Sequence, residues 1–306
     1  MKESSAGKPA AKNTVRSTGA DMIFNIVLYV LSAVMLIVIV YPLYFIVIAS
    51  FSDPSAVTSG EVWFAPAGFT LDGYKALFAE TRIWHSYFNT ILYTVLGTLF
   101  GLAVCLSAAY ALSRKDLVFR KPLMVFFIVP MFFSGGLIPT FLTVRQFGLY
   151  NNFWVMVIPF AVSIYHVIVA RTFFESNIPE ALWESARIDG CGNLRFFFQM
   201  VLPLSTAIIA VLALWTAVGH WNSYFNALIY LRNESLMPLQ IILRNILITS
   251  QSQAAMGTGE AAQIALRTAS LVKYGAIIIS TAPIMCVYPF LQKYFSQGAM
   301  IGAVKG

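Results

Sequence analysis

Charge is what this chain has least of. Only 11% of its 306 residues are Asp, Glu, Lys or Arg, while 58% are apolar. Soluble domains carry about 25% charged residues, so most of this chain must be solvated by lipid rather than water. Strand alternation of the barrel type is also missing, which excludes a transmembrane β-barrel and leaves helices, the other way to pair every backbone group in hydrocarbon. The three cysteines, Cys105, Cys191 and Cys286, have the spacing of neither a metal site nor a disulfide framework and read as incidental thiols. No G-x-x-x-x-G-K-[ST] occurs, so the chain has no such loop to cradle ATP phosphates; "GTGE" at 257–260 lacks the lysine.

What is present is a series of apolar runs. Six stretches without Asp, Glu, Lys or Arg, at 23–49, 88–112, 122–143, 152–170, 201–225 and 274–292, are long enough for the roughly 30 Å of hydrocarbon. The expected fold class is an all-α membrane protein with six transmembrane helices. Its parts would be a tail at 1–21, a membrane domain at 22–296 and a tail at 297–306. The basic leader (Lys2, Lys8, Lys12, Arg16) precedes an apolar run of more than 25 residues. A cleaved signal has an apolar core of only about 7–15, so the run reads as a retained first helix behind a disordered leader.

Most of the 20 Lys and Arg residues fall on one side of such a bundle, with "RKDLVFRK" (114–121) the densest group. Basic residues stay cytoplasmic, which puts both termini inside. The net charge of +7 is then a topology signal and not a nucleic-acid footprint. The segment "SLMPLQIILRNILI" (235–248) is too short to span and reads as an interfacial or external helix.

Transporters driven by protons or sodium usually bury carboxylates or break helices around an ion. The six stretches hold no carboxylate; their titratable groups of that kind reduce to His166 and His220. Hydrogen bonding across helices is the ordinary fate of His166, with lining of a pathway as the alternative. Pro130, Gly135, Gly136 and Pro139 interrupt the third stretch, which reads as a packing kink.

One segment breaks the apolar pattern in an ordered way. "ESARIDGCGNLRFFFQMVLP" (184–203) carries charges, glycines and a proline between two apolar stretches. Glu180, Glu184, Arg187, Asp189 and Arg195 would each cost about 2.5–3.5 kcal/mol at a helix centre, so 176–200 must lie in water or against a protein. Asn177 and Glu180 suggest a capping box with Pro179 in the first turn, Gly190 a left-handed helix stop, and Asn193 the cap of a second short helix. Small residues (Ala181, Ser185, Ala186, Gly190, Gly192) would then be on show, a surface that allows close approach by a partner.

The order Glu184-x-Ala186-x-x-x-Gly190, then nine residues, then Met200-x-Leu202-Pro203 resembles the EAA motif of permease subunits of bacterial ABC importers. Ser185 and Met200 stand where alanine and isoleucine are usual. "ARIDGC", "WNSYFNALIYL" (221–231) and the tail "PFLQKYFSQGAMIGAVKG" resemble the carbohydrate branch, of the maltose and LplC-like type. The resemblance implies a type I importer permease fold in the bacterial cytoplasmic membrane. It implies a second homologous permease, two ATP-binding cassette ATPases holding ATP and Mg, and an extracytoplasmic solute-binding protein as partners. The chain itself would be no enzyme and bind no cofactor, and its cargo would be an oligosaccharide; a non-sugar solute, or a transporter working without nucleotide, are the alternatives. The coupling loop 176–200 would dock on the ATPase through Glu180, Ala181, Glu184, Ala186, Arg187, Asp189 and Gly190, with Leu202 and Pro203 closing the motif. In the fifth stretch Trp215, His220, Trp221, Asn222, Tyr224 and Asn226 are candidates for the sugar pathway, since aromatic faces and amide or hydroxyl groups suit sugars. For Trp221 and Tyr224 an aromatic belt at the membrane surface fits equally.

Overall fold

The computed structural model describes residues 19–256, 267, 269–287 and 289. The leader, most of the 257–268 segment and the C-terminal tail, with the expectations placed on them, lie outside the described residues. Among the described residues three helices are each long and apolar enough to cross a membrane: α1 (Gly19–Ser50), α4 (Thr81–Ser113) and α14 (Ala269–Val287). Short helices α2 (Pro54–Thr58) and α3 (Asp72–Ala79) join the first two. The first, second and sixth expected stretches fall on these long helices, the sixth as far as Val287.

The other three stretches are broken. The third becomes α5 (Arg120–Phe132) and α6 (Leu137–Gln146), bent by 116° at a break where Gly136 takes φ +83°, in the left-handed region glycine tolerates. The kink expected there is therefore a full change of direction. The fourth is not one helix. A 3-10 turn at Phe153–Met156 gives way to irregular chain through Pro159, and α7 (Ile164–Asn177) starts only after Ser163. Pro159 lacks the N–H that a continuous helix would need. The fifth is approached by α9 (Asn193–Phe196), a π turn (Phe197–Val201) and α10 (Leu202–Leu204), then turns by 83° at Ser205 into α11 (Thr206–Trp221). α12 (Tyr224–Tyr230) follows. Counting each bent pair as one span gives up to five crossings among the described residues.

The segment expected to be interfacial is α13 (Leu239–Met256), longer than the sequence suggested. Its first turns are packed: Leu239, Ile242 and Leu243 are buried with Leu77 and Ile83. Thr90 accepts the Leu239 N–H at 2.8 Å, and Asn89 donates to the Ser235 carbonyl at 2.7 Å, fastening this region to α4.

α4 is the axis of the fold, and α11 and α7 pack on it most extensively. Most of its buried positions, Ile83, Ser86, Thr90, Tyr93, Gly97, Gly101, Cys105, Ala109 and Leu112, advance in steps of three and four that make one helix face, with Asn89 and Leu106 buried beside them. From Gly97 to Ala109 every fourth residue is small. In lipid no hydrophobic force drives apolar helices together, so close van der Waals approach at small residues does that work. A Cβ at Gly97 would lie 2.4 Å from the His220 ring of α11, and one at Gly101 2.4 Å from the Ala161 carbonyl oxygen. Gly101 thus lets the irregular part of the fourth stretch lie directly on α4, where Val155, Met156, Val157 and Ala161 are buried. Non-helical backbone is tolerated at membrane depth only when covered by protein in this way. α1 is the opposite case, exposed along almost its whole length and buried only at Ile48, Ala49 and Ser50.

Gly101→Ala should cost about 1–3 kcal/mol, because the methyl meets backbone rather than a movable side chain. Thermal unfolding in detergent should show a lower midpoint for this variant. Gly135→Ala, whose Cβ would have only Pro139 at 3.8 Å for a neighbour, should unfold as the parent does.

Candidate functional site: a charged elbow and a polar cavity

The elbow begins at α8 (Glu180–Ile188). Its start differs from the expected capping box. Pro179 occupies the cap position, and Asn177 instead donates to the Phe173 carbonyl at 3.1 Å and to Ser176 Oγ at 2.9 Å, tying it to α7. The stop is as the sequence suggests. Gly190 takes φ +76°, its N–H donates to Arg187, and the Cys191 N–H donates to Ala186 at 2.9 Å. These two bonds are the Schellman pair, which satisfies carbonyls left open at a helix end. Asn193 is not the cap of the next helix; Gly192 is, with Asn193 as the first helical residue.

The back of α8 is buried. Trp183 meets the Phe196 ring edge-to-face at 5.0 Å, and Ala186 packs in the same cluster, so Ala186 is not among the displayed small residues. The Arg114 guanidinium lies 4.0 Å over the Trp183 ring, and Arg114 also donates to Asp116. That hydrogen bond holds the Asp116 carboxyl below its usual range. Lys115 forms an ion pair with Glu180. Glu175 on α7 receives both Arg120 and Arg171, the latter at 2.9 Å, and both arginines also donate to the Leu112 carbonyl at the end of α4. The basic loop at 114–121 is therefore the bracket that holds the elbow. Exposed ion pairs are worth ~0–1 kcal/mol; the Arg114–Trp183 contact, largely desolvated, is worth more, up to about 2.

The front of α8 is open. Ala181, Glu184, Ser185, Arg187, Asp189 and Gly190 are exposed, and Ile188 is 86% exposed at the tip. Ile188 is a large apolar residue at the end of a charged helix, which in a sequence is itself a signal of contact. Leu202 is half-buried and Pro203 exposed in α10, before the bend rather than inside the fifth span.

The pathway candidates divide. Trp215, His220 and Asn226 line one cavity of about 180 Å³, together with Ser163, His166, Thr216 and Ser223. The remaining three do not line it. Trp221 is buried, donating its indole N–H to the Ser280 carbonyl at 2.8 Å and meeting Tyr87 edge-to-face. Asn222 is exposed and donates back to the Val218 carbonyl at 3.0 Å, closing α11. Tyr224 carries the Arg244 guanidinium 5.2 Å over its ring. His166 does both things weighed for it, lying 3.4 Å from Thr216 Oγ1 across to α11 and lining the cavity. Ser163 escaped the sequence reading because only the break in the fourth stretch brings it there.

Residues 97–300 match the family described as "Binding-protein-dependent transport system inner membrane component". The chain belongs to that family. It is 38% identical to the Bacillus subtilis polygalacturonan/rhamnogalacturonan transport system permease protein YtcP, covering 94% of this chain and 99% of the relative. It is 36% identical to the Bacillus subtilis protein LplC, covering 96% and 99%. Among solved structures it is similar to a chain of a bacterial ABC transporter involved in import of the acidic polysaccharide alginate, at 33% identity, with a TM-score of 0.82 and 91% and 99% coverage. The bends that divide three of the six expected stretches therefore belong to an all-helical permease fold of the type I ABC class, and this chain is an ABC importer permease subunit.

Removing the guanidinium that braces α8 through Trp183 should loosen the permease's elbow without unfolding the bundle. Arg114→Ala should raise amide hydrogen exchange across 180–190 by roughly 5–30-fold, the equivalent of the one to two kcal/mol of the lost contact. Exchange along α4 should be unchanged.

Proposed function

We propose that this chain is one of two permease subunits forming the pore of an ATP-driven oligosaccharide importer in the bacterial cytoplasmic membrane. The single observation that carries the reading is the two-faced elbow. Its back is clamped by Arg114, Trp183 and Phe196, and its front presents Glu184, Ser185 and Ile188. A charged helix that is braced from within and bare outside is built to transmit force from something docked on it. That partner is the ATP-binding cassette ATPase, present in two copies and holding ATP and Mg, with Glu180, Ala181, Glu184, Ala186, Arg187, Asp189 and Gly190 forming or shaping the docking elbow. Ala186 acts from behind, in the buried cluster, while Glu180, itself exposed and paired with Lys115, stands among the exposed residues that make the contact.

Six crossings with both termini cytoplasmic fit the distribution of basic residues; the crossing beyond the five counted above is the broken fourth stretch, completed by α7. The sugar cargo is supported by the permease relatives and by the aromatic and amide groups along α11 and α12. A solute-binding protein delivering that cargo follows from the family's description as binding-protein-dependent. Closure of the ATPase pair favours one pore state over another by differential affinity, which is all that coupling requires.

Glu184→Lys reverses the charge at the front of α8 without touching its buried back. It should leave the permease inserted and assembled with its partner permease while lowering oligosaccharide uptake and binding-protein-stimulated ATP hydrolysis by at least about tenfold, the equivalent of roughly 1.4 kcal/mol of lost contact. Undiminished uptake and ATPase retention in the variant would refute the docking role.

A further inference from the structure

A cleft separate from the polar cavity lies where α4 ends. It encloses about 760 Å³ and is lined by four basic side chains, Lys115, Arg120, Lys121 and Arg171, together with apolar ones, and by no Asp or Glu among the described residues. Basic residues beside a span orient it, but that role asks nothing of their arrangement. Here Arg171 comes from α7 and the other three from the loop before α5 and its first turn, and all four meet at one cleft.

The two arginines are held ready. Each donates its Nε–H to the Leu112 carbonyl, at 2.9 Å from Arg120 and 3.2 Å from Arg171, and each gives one Nη2 hydrogen to Glu175. A guanidinium has five N–H donors, so the Nη1 groups of both have no partner among the described residues. One carboxylate shared by two guanidiniums leaves positive charge over. Lys121, exposed beside them, forms no ion pair among the described residues. Fixed guanidinium donors of this kind suit the oxygens of a phosphate.

Phe119 is an independent observation. It takes φ +62°, a left-handed conformation that is rare for a bulky residue, and it lines the same cleft while 73% exposed. Such strain persists only where the surroundings over-determine it, and it gathers at ligand clamps. From the cleft α5 continues without one buried residue, with Val125, Val129 and Phe132 exposed at spacings of four and three. An anionic group held at the cleft would therefore be followed by an apolar track, along a helix that belongs to a membrane-crossing pair. We propose that the cleft is a binding site for an anionic phospholipid. Its phosphate sits among Arg120, Lys121 and Arg171, and its acyl chains run along α5. Free phosphate has the charge without the chains, and a zwitterionic lipid has the chains but brings its own cation to four others. An acidic lipid satisfies both halves of the site.

The test places the complete assembly in phosphatidylcholine nanodiscs containing a trace of phosphatidylglycerol with a diazirine near the start of one acyl chain. After illumination the labelled peptides are mapped by mass spectrometry. Label should concentrate within residues 117–129, and unlabelled phosphatidylglycerol should displace it at least about tenfold better than added phosphatidylcholine, as charge-assisted contacts predict. Lys121→Gln should lower capture roughly fivefold, the equivalent of ~1 kcal/mol for one basic residue near an anionic surface, while Lys121→Arg should retain it. Lys121 takes no part in the contacts on Glu175, so hydrogen exchange across 180–190 should be the same in both variants, which separates lost binding from a disturbed fold. Absence of label from 117–129, the outcome if a second permease subunit covers α5, would overturn the proposal. So would equal displacement by phosphatidylcholine, equal displacement by inorganic phosphate, or full capture in Lys121→Glu.

Discussion

The close contact along one face of α4 is the constraint on which the rest depends. Gly97, Gly101, Cys105 and Ala109 keep that face shallow, so α11 and the irregular chain before α7 come within van der Waals distance of the helix backbone. A bundle in lipid has little else to hold it, because lipid tails are as apolar as the helices they surround. The broken fourth stretch exists only because Gly101 leaves room for the Ala161 carbonyl. Take away that room and its unpaired backbone groups face hydrocarbon, where each costs several kcal/mol. The fold can afford a non-helical segment at that depth because α4 shields it.

Two consequences follow at opposite ends of α7. At one end the helix starts inside the protein rather than at a membrane surface, which places a positive dipole end beside His166 and His220. At the other end it runs into the elbow, where Glu175 gathers Arg120 and Arg171 against the last carbonyls of α4. One short helix, α7, therefore runs from the polar cavity to the elbow.

The bracket around the elbow explains why a basic loop sits where it does. Arg114, Lys115 and Arg120 hold the elbow through contacts: stacking on Trp183, pairing with Glu180, and joining Arg171 on Glu175. Lysine in place of Arg114 would keep the charge and lose the planar stacking that only guanidinium offers.

The sequence by itself determined the solvent of this protein, because apolar content and the placement of charge are sums over residues and need no partners to be read. It determined the elbow for a similar reason. A left-handed glycine stop after a charged helix is local, and Gly190 ends α8 with the bonds its position implies. His220, Trp215 and Asn226, singled out by residue type, lie together on one cavity. What only the tertiary structure decided was continuity and sidedness. Three of six apolar stretches turned out to be broken, since apolarity is the same whether a helix is straight or bent. Trp221 and Trp215 look alike in sequence, yet one is bonded to Ser280 and the other opens onto a cavity. Asn177 and Asn193 are good caps by type, but the prolines, glycines and neighbours around them gave that position to Pro179 and Gly192. Residue type sets what a side chain is able to do; which groups lie within 3–4 Å of it is fixed by segments far away in the chain, and no local pattern records them.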